Sequence, residues 1–221
     1  MRTVVAGCAA VALIAAIAAP SALAQAANIG AGVGASNVFA APSYGHQAGT
    51  LATMTWGGGG SHNVTATGDG PDGEALFRSD TISGGTIPVN GTQYVGPGSY
   101  SFICTIHPAT MQATLNVAGT PLARPELSLK VKSGNLAQAL RSGEVKVEAK
   151  VSGGSGEEAE VTAQLGKREI AKPKSTSRTR ALKLKLTKKG RKLLAKRGKA
   201  KIKARGSIEF GSPATAKRVL K

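Results

Sequence analysis

The sequence is poor in the residues that carry most protein chemistry. Its 221 residues include two Cys, three His, three Met, one Trp, three Tyr and four Phe. Cys8 sits in an N-terminal apolar run, so the chain beyond that run keeps one thiol, Cys104. A lone thiol forms no internal disulfide, which excludes a disulfide-stapled scaffold. Beyond the N-terminal run no segment is apolar enough to span a membrane as a helix, which takes ~20 apolar residues. Residues 120–221 contain no His, no Cys and one aromatic, Phe210. That scarcity removes base stacking and metal ligation from the second half, and nucleic acid with them.

What is present begins with an export pattern. Arg2 precedes an apolar run from Val4 to Ala19, followed by Pro20 and the small-x-small sequence Ala22-Leu23-Ala24. This predicts a secretory signal peptide over residues 1–24, cut after Ala24. The run is short for a membrane span, and the lipoprotein-like Val5–Cys8 stands ahead of most of it. No twin-arginine pair is present, so export as an unfolded chain is expected, with any metal loaded outside the cytoplasm. The expected location is extracytoplasmic: secreted, or associated with the cell surface.

Charge divides the remaining chain. Residues 25–119 carry one basic residue, Arg78, against Asp69, Asp72, Glu74 and Asp80, a balance of −3. Residues 120–221 carry 27 Lys and Arg against eight Glu, a balance of +19. The change falls at a stretch holding Pro121 and Pro125, so the expected organisation is a first domain over 25–119, a linker over 120–126 and a basic β-rich, Ig-like domain over 127–221.

Both halves read as β structure. In the first, Thr50–Trp56, Ser61–Thr67, Ser99–Cys104 and Met111–Gly119 are strand candidates separated by Gly- and Pro-rich turns, and no helical period persists. Trp56 and Phe102 read as core, and His46 as a surface loop residue. In the second, Val145–Val151, Ala181–Leu186 and Lys199–Phe210 alternate apolar with charged residues, as half-buried strands do. Short helices are expected within Asn135–Gly143 and Lys188–Gly198. Moving the first onto the second lays Gly143 on Gly198 and Val147 on Ile202, a faint internal duplication.

The scarce residues are clustered. Cys104, His107 and Met111 lie within eight positions, and His62 opens a strand candidate earlier in the chain. One thiolate, two imidazoles and a thioether suit a soft, redox-active metal. Three donors on one turn fix their mutual geometry, and a fourth from another strand ties the sheets together. Other chemistries remain open at this point. Zinc would take His62, His46, Cys104 and His107, without the thiolate pairs common in structural sites. Nucleophilic catalysis by Cys104 with His107 lacks an evident orienting carboxylate. An inert buried Cys is the common fate of a lone thiol.

The segments "TMTWGGGGSHNV" and "GPGSYSFICTIHPATM" resemble the plastocyanin and halocyanin branch of the cupredoxins over roughly residues 28–118. The matching features are the strand Trp, the His-Asn-Val strand, the Pro-Gly-x-Tyr turn, and Cys-x-x-His-Pro ending in Met. The resemblance implies an all-β protein: a cupredoxin-like Greek-key β-sandwich, followed here by a second small basic β-sandwich. It implies one type 1 copper ion held by His62, Cys104, His107 and Met111, and a one-electron carrier, not an enzyme, that serves larger redox proteins. Two departures stand out: three residues separate His107 from Met111 where relatives often have two or four, and the glycine run before His62 is long.

The second half resembles basic β-sandwich modules appended to exported proteins and has no assigned activity. Its charge suggests adhesion to an anionic wall polymer, a membrane surface or an acidic redox partner. A solvated face with no partner is the plain alternative. The expected protein is a monomeric blue copper carrier tethered by its basic half. The alternatives are a copper-buffering protein without a redox partner, and a wall-binding structural protein whose cupredoxin fold has lost its copper.

Overall fold

The computed structural model describes residues 25–221, and the predicted signal peptide lies outside the described residues. In the first half the strands are β1 (Asn28–Ala31), β2 (Ser43–Gln47), β3 (Ala52–Trp56), β4 (Thr65–Ala66), β5 (Thr86–Val89), β6 (Gly98–Ile103) and β7 (Gln112–Ala118). They form two sheets, ordered β1-β3-β5 and β2-β7-β6-β4. The first strand of each sheet pairs in parallel, β1 with β3 and β2 with β7, and the remaining pairs are antiparallel.

Alternation explains β7. Ala113, Leu115 and Val117 turn inward between exposed or half-buried neighbours, as the period of two requires. They join Ile29, Met54, Phe77, Phe102 and Val89 in one core. Phe102 is its centre, with the rings of Phe39, Tyr44 and Phe77 within 6.2 Å centroid to centroid. Trp56 does not share this core. It is half-buried, and its indole N–H donates to the Gly60 carbonyl at 2.6 Å.

Three other features depart from the sequence reading. Strands β1 and β2 were not expected, because Asn28–Ala31 and Ser43–Gln47 hold a single β-branched residue between them. Of the strand expected over Ser61–Thr67, only Thr65–Ala66 is regular. Upstream of it, His62 exchanges two backbone bonds with Ile82, and the Ser79 hydroxyl takes the Val64 amide, which breaks the ladder. His46 is not a surface loop residue: it lies in β2 opposite Val117 and is 1% exposed. Its Nδ1 accepts the Ala27 amide at 3.1 Å, so the imidazole satisfies a backbone donor inside the sandwich.

The second half has its own core, with Val145, Val147, Val161, Leu182, Leu184 and Ile202 among its buried members. Its elements are β8 (Glu126–Val131), α1 (Leu136–Ser142), β9 (Glu144–Ser152), β10 (Ala159–Leu165), β11 (Arg168–Glu169), β12 (Lys174–Thr176), β13 (Arg180–Lys185), α2 (Lys188–Ala195), β14 (Ala200–Ile208) and β15 (Gly211–Leu220). One sheet runs β13-β9-β8 and the other β11-β10-β14-β15, with β12 also on β10. Both expected helices form. Asn135 caps α1 by accepting the Gln138 amide, and Thr187 caps α2 by accepting that of Gly190.

The halves meet at the β14–β15 turn. Phe210 adopts a left-handed φ of 57°, is 2% exposed and lies under the Arg78 guanidinium at 4.7 Å. Its N–H donates to Asp72 at 3.0 Å and its carbonyl accepts from Arg124 at 3.3 Å. Gly91 makes room, since a Cβ there would stand 2.7 Å from the ring. Tyr94 hydrogen-bonds Ser155 and Glu157 from the same side. Burying a Phe ring contributes roughly 1.5–3 kcal/mol, enough to offset the roughly 1–3 kcal/mol that left-handed backbone costs at a non-glycine residue. The Arg78–Glu209 pair at 2.8 Å adds less, because Glu209 is 57% exposed.

Candidate metal centre

Two chain segments build the site. Strand β6 ends at Ile103, and the loop after it turns back at once: the Met111 amide donates to the His107 carbonyl at 2.9 Å, and the Cys104 amide to the Met111 carbonyl at 3.0 Å. The turn thus places Cys104 opposite Met111, with His107 at its apex. The second segment carries His62 and is tied to the first by Asn63. The Asn63 carboxamide accepts the Thr105 amide at 2.9 Å and donates to the hydroxyls of Thr105 and Thr81 at 2.7 and 3.1 Å. Sequence reasoning assigned Asn63 no role. Its position beside His62 in the His-Asn-Val motif was the available signal.

These ties bring one donor atom each of His62, Cys104 and His107 within 4.8 Å of one another. The Cys104 sulfur and His107 Nδ1 are 3.9 Å apart, and the two imidazole rings are 5.1 Å apart at 54°. His62, Cys104 and Met111 are fully buried, while His107 is half-buried. Of the four residues expected at the site, three are gathered as donors, and Met111 closes the same loop with its side chain in the core.

The tautomer of His62 follows from its surroundings. A backbone carbonyl only accepts, so the 2.9 Å contact of Nε2 with the Gly58 oxygen puts the proton on Nε2. Nδ1 is then left with a lone pair, buried and without a partner. A buried acceptor left unmade costs about 1–3 kcal/mol. A metal ion satisfies it, and the carbonyl behind the ring is the outer partner that metal-ligating His side chains use. The donor set of one thiolate and two imidazoles fits copper.

The glycine run holds that carbonyl in place. Gly58, Gly59 and Gly60 all have positive φ, a region other residues adopt only with strain. The Gly57 amide bonds the Ala31 carbonyl, and Trp56 bonds Gly60. Gly32 lies against the loop, where a Cβ would sit 1.8 Å from the Gly58 oxygen. His46, considered above as a fourth zinc ligand, is absent from the gathered group.

No protein-family model matches the chain, and no curated protein matches it. Solved structures similar to part of it are cupredoxins. Amicyanin from Paracoccus versutus is 24% identical over 42% of this chain and 82% of its own, with a TM-score of 0.33. A purple cupredoxin from Nitrosopumilus maritimus is 21% identical over 41% of this chain and 98% of its own, with a TM-score of 0.32. A mutant fern plastocyanin is 24% identical over 41% and 98%, with a TM-score of 0.34. The likeness is partial, and the reading of the site rests on its own geometry.

Proposed function

We propose that the first half binds one copper ion through His62, Cys104 and His107, with Met111 as a weak further ligand, and carries single electrons between redox proteins. The observation that carries this is the buried, unpartnered Nδ1 of His62, held beside a thiol and a second imidazole by the bond from Nε2 to Gly58. Copper supplies a one-electron couple there. The protein's part is to keep the donors in place and water away. Asn63 and the backbone closure of residues 104–111 fix the donors, and burial of Cys104 and Met111 excludes solvent.

His107 is the one member of the group that is not fully buried. Ile106 beside it is exposed, as are Val33, next to Gly32 in the chain, and Val38, whose carbonyl accepts the Gly32 amide. A redox partner would approach over this apolar rim, where the His107 ring gives the shortest path to the site. The assembled donors favour this reading over a fold that has lost its copper.

In the same proposal the protein works outside the cytoplasm, as the signal predicted over residues 1–24 suggests, and the basic half holds it at an anionic surface. The +19 balance of residues 120–221 supports this. The redox test is a titration of the copper-loaded protein with a one-electron reductant and then an oxidant. Bleaching and full recovery at one electron per copper is the expected result. Irreversible loss of copper on reduction would instead favour storage over electron transfer.

A further inference from the structure

The cations of the second half are not spread evenly. On the outer face of the β13-β9-β8 sheet the lysines are interleaved with acids: Lys185 lies opposite Glu144, Lys130 opposite Glu148, Lys132 bonds Glu148 at 2.7 Å, and the one opposed pair, Lys183 and Lys146, sits between Glu144 and Glu148. The Lys132 ammonium also pulls the Glu148 carboxyl below its ordinary range. Strands β14 and β15 themselves carry no acid on their outer face, and the nearest, Glu160 and Glu169, lie on β10 and β11 beyond Arg205 and Lys203. Lys203 stands directly opposite Lys217, with Lys201 and Arg205 two residues away on the same side of β14. None of these four cations has an acidic partner among the described residues. Like charges directly opposed across an antiparallel pair destabilise it, so this face carries a cost that an external anion would relieve.

Lys201 also borders a cleft of about 540 Å³ at the sheet's end, on the core side, where Leu165 stands opposite the buried Ile202. Its rim is Lys167, Arg168, Arg197 and Lys201, and Leu165 and Leu193 contribute apolar wall. Val219, opposite Lys201, is 46% exposed. Cations bordering an exposed apolar side chain, as Lys201 borders Val219, match one kind of anionic surface better than others. In the headgroup layer of a bilayer, phosphates lie beside glycerol and the first methylenes. A wholly polar polyanion offers nothing to Val219.

We propose that the outer face of β14 and β15, with Val219 at its end, is where the protein seats on an anionic phospholipid bilayer. This rests on the reading of the second half as an anionic-surface tether, and it names the face and the surface. The lysine stems lie along the interface with their ammonium groups at the phosphates. Each lysine near such a surface contributes about 1 kcal/mol, which makes a pair worth on the order of tenfold or more in partitioning.

The test is sedimentation of the full-length mature protein with phosphatidylglycerol-containing vesicles, against phosphatidylcholine vesicles and soluble polyphosphate. Lys203→Ala/Lys217→Ala should weaken partitioning about tenfold or more, whereas Lys146→Ala/Lys183→Ala, a directly opposed pair on the other sheet, should weaken it less than about threefold. Val219→Ser should weaken vesicle binding severalfold and leave polyphosphate binding unchanged. Equal losses from the two lysine pairs would overturn the choice of face. An unchanged vesicle affinity for Val219→Ser would overturn the choice of lipid in favour of a polyanion. No binding to either anionic probe at low salt would overturn the tether reading itself.

Discussion

His62 Nε2 lies 2.9 Å from the Gly58 carbonyl oxygen, and the Nδ1 on the other side of the ring is buried without a partner. One hydrogen bond therefore sets both the tautomer and the direction of the free lone pair. That bond depends on Gly32, whose missing side chain leaves room for the Gly58 carbonyl. Gly32→Ala should displace the carbonyl and, with a left-handed φ of 80° to accommodate as well, destabilise the metal-free protein by about 1–3 kcal/mol. Copper affinity should fall with it. Chemical denaturation of the metal-free variant checks the first effect, and competition with a copper chelator the second.

The roles within the site separate by substitution. Cys104→Ser should abolish the thiolate-to-copper colour, since residues 25–221 hold no other Cys. Met111→Leu should retain copper and raise the reduction potential, because losing a weak donor costs Cu(II) more than Cu(I). Voltammetry reads the shift. Loss of copper outright from Met111→Leu would make Met111 a principal ligand.

His46 gives a pH dependence unrelated to copper. Burial pushes its imidazole below the ordinary range. The unfolded chain then binds a proton that the folded one resists, so this group lowers stability as pH falls below about 6.5 and contributes nothing further above it. Thermal unfolding of the metal-free protein should show a wild-type decline between about pH 7 and 5 that is smaller in His46→Gln. Equal declines would mean that His46 protonates freely in the fold.

Phe210 couples the two halves. The wild-type protein should unfold in one calorimetric transition. Phe210→Ala removes the ring from Arg78, Tyr94 and Gly91 and keeps the left-handed backbone. It should cost about 3 kcal/mol and split the transition in two. A single unshifted transition would show that the contact does not couple them.

Legibility in the sequence followed the strength of the local pattern. Strands β7, β9, β13 and β14 alternate strictly, and the helices carry caps at Asn135 and Thr187, so these elements were readable. The closeness of Cys104 and His107 was readable because they share one turn. Strands β1 and β2 were not, since Ile29 is their one β-branched residue and parallel pairing with distant partners leaves no local mark. His46 was misplaced for a related reason: its burial follows from the amide of Ala27, which no spacing reveals. The contact of Phe210 with Arg78 spans the whole basic half and was invisible, although the single aromatic in that half was the available hint.

Copper binding is the central claim, and addition of Cu(II) to the mature protein tests it most directly. Visible absorption and the reactivity of Cys104 toward a thiol reagent are followed together. The site described here predicts an intense blue or green band that saturates at one equivalent, with Cys104 becoming unreactive in step. A colourless protein whose Cys104 still reacts after Cu(II) addition would contradict it.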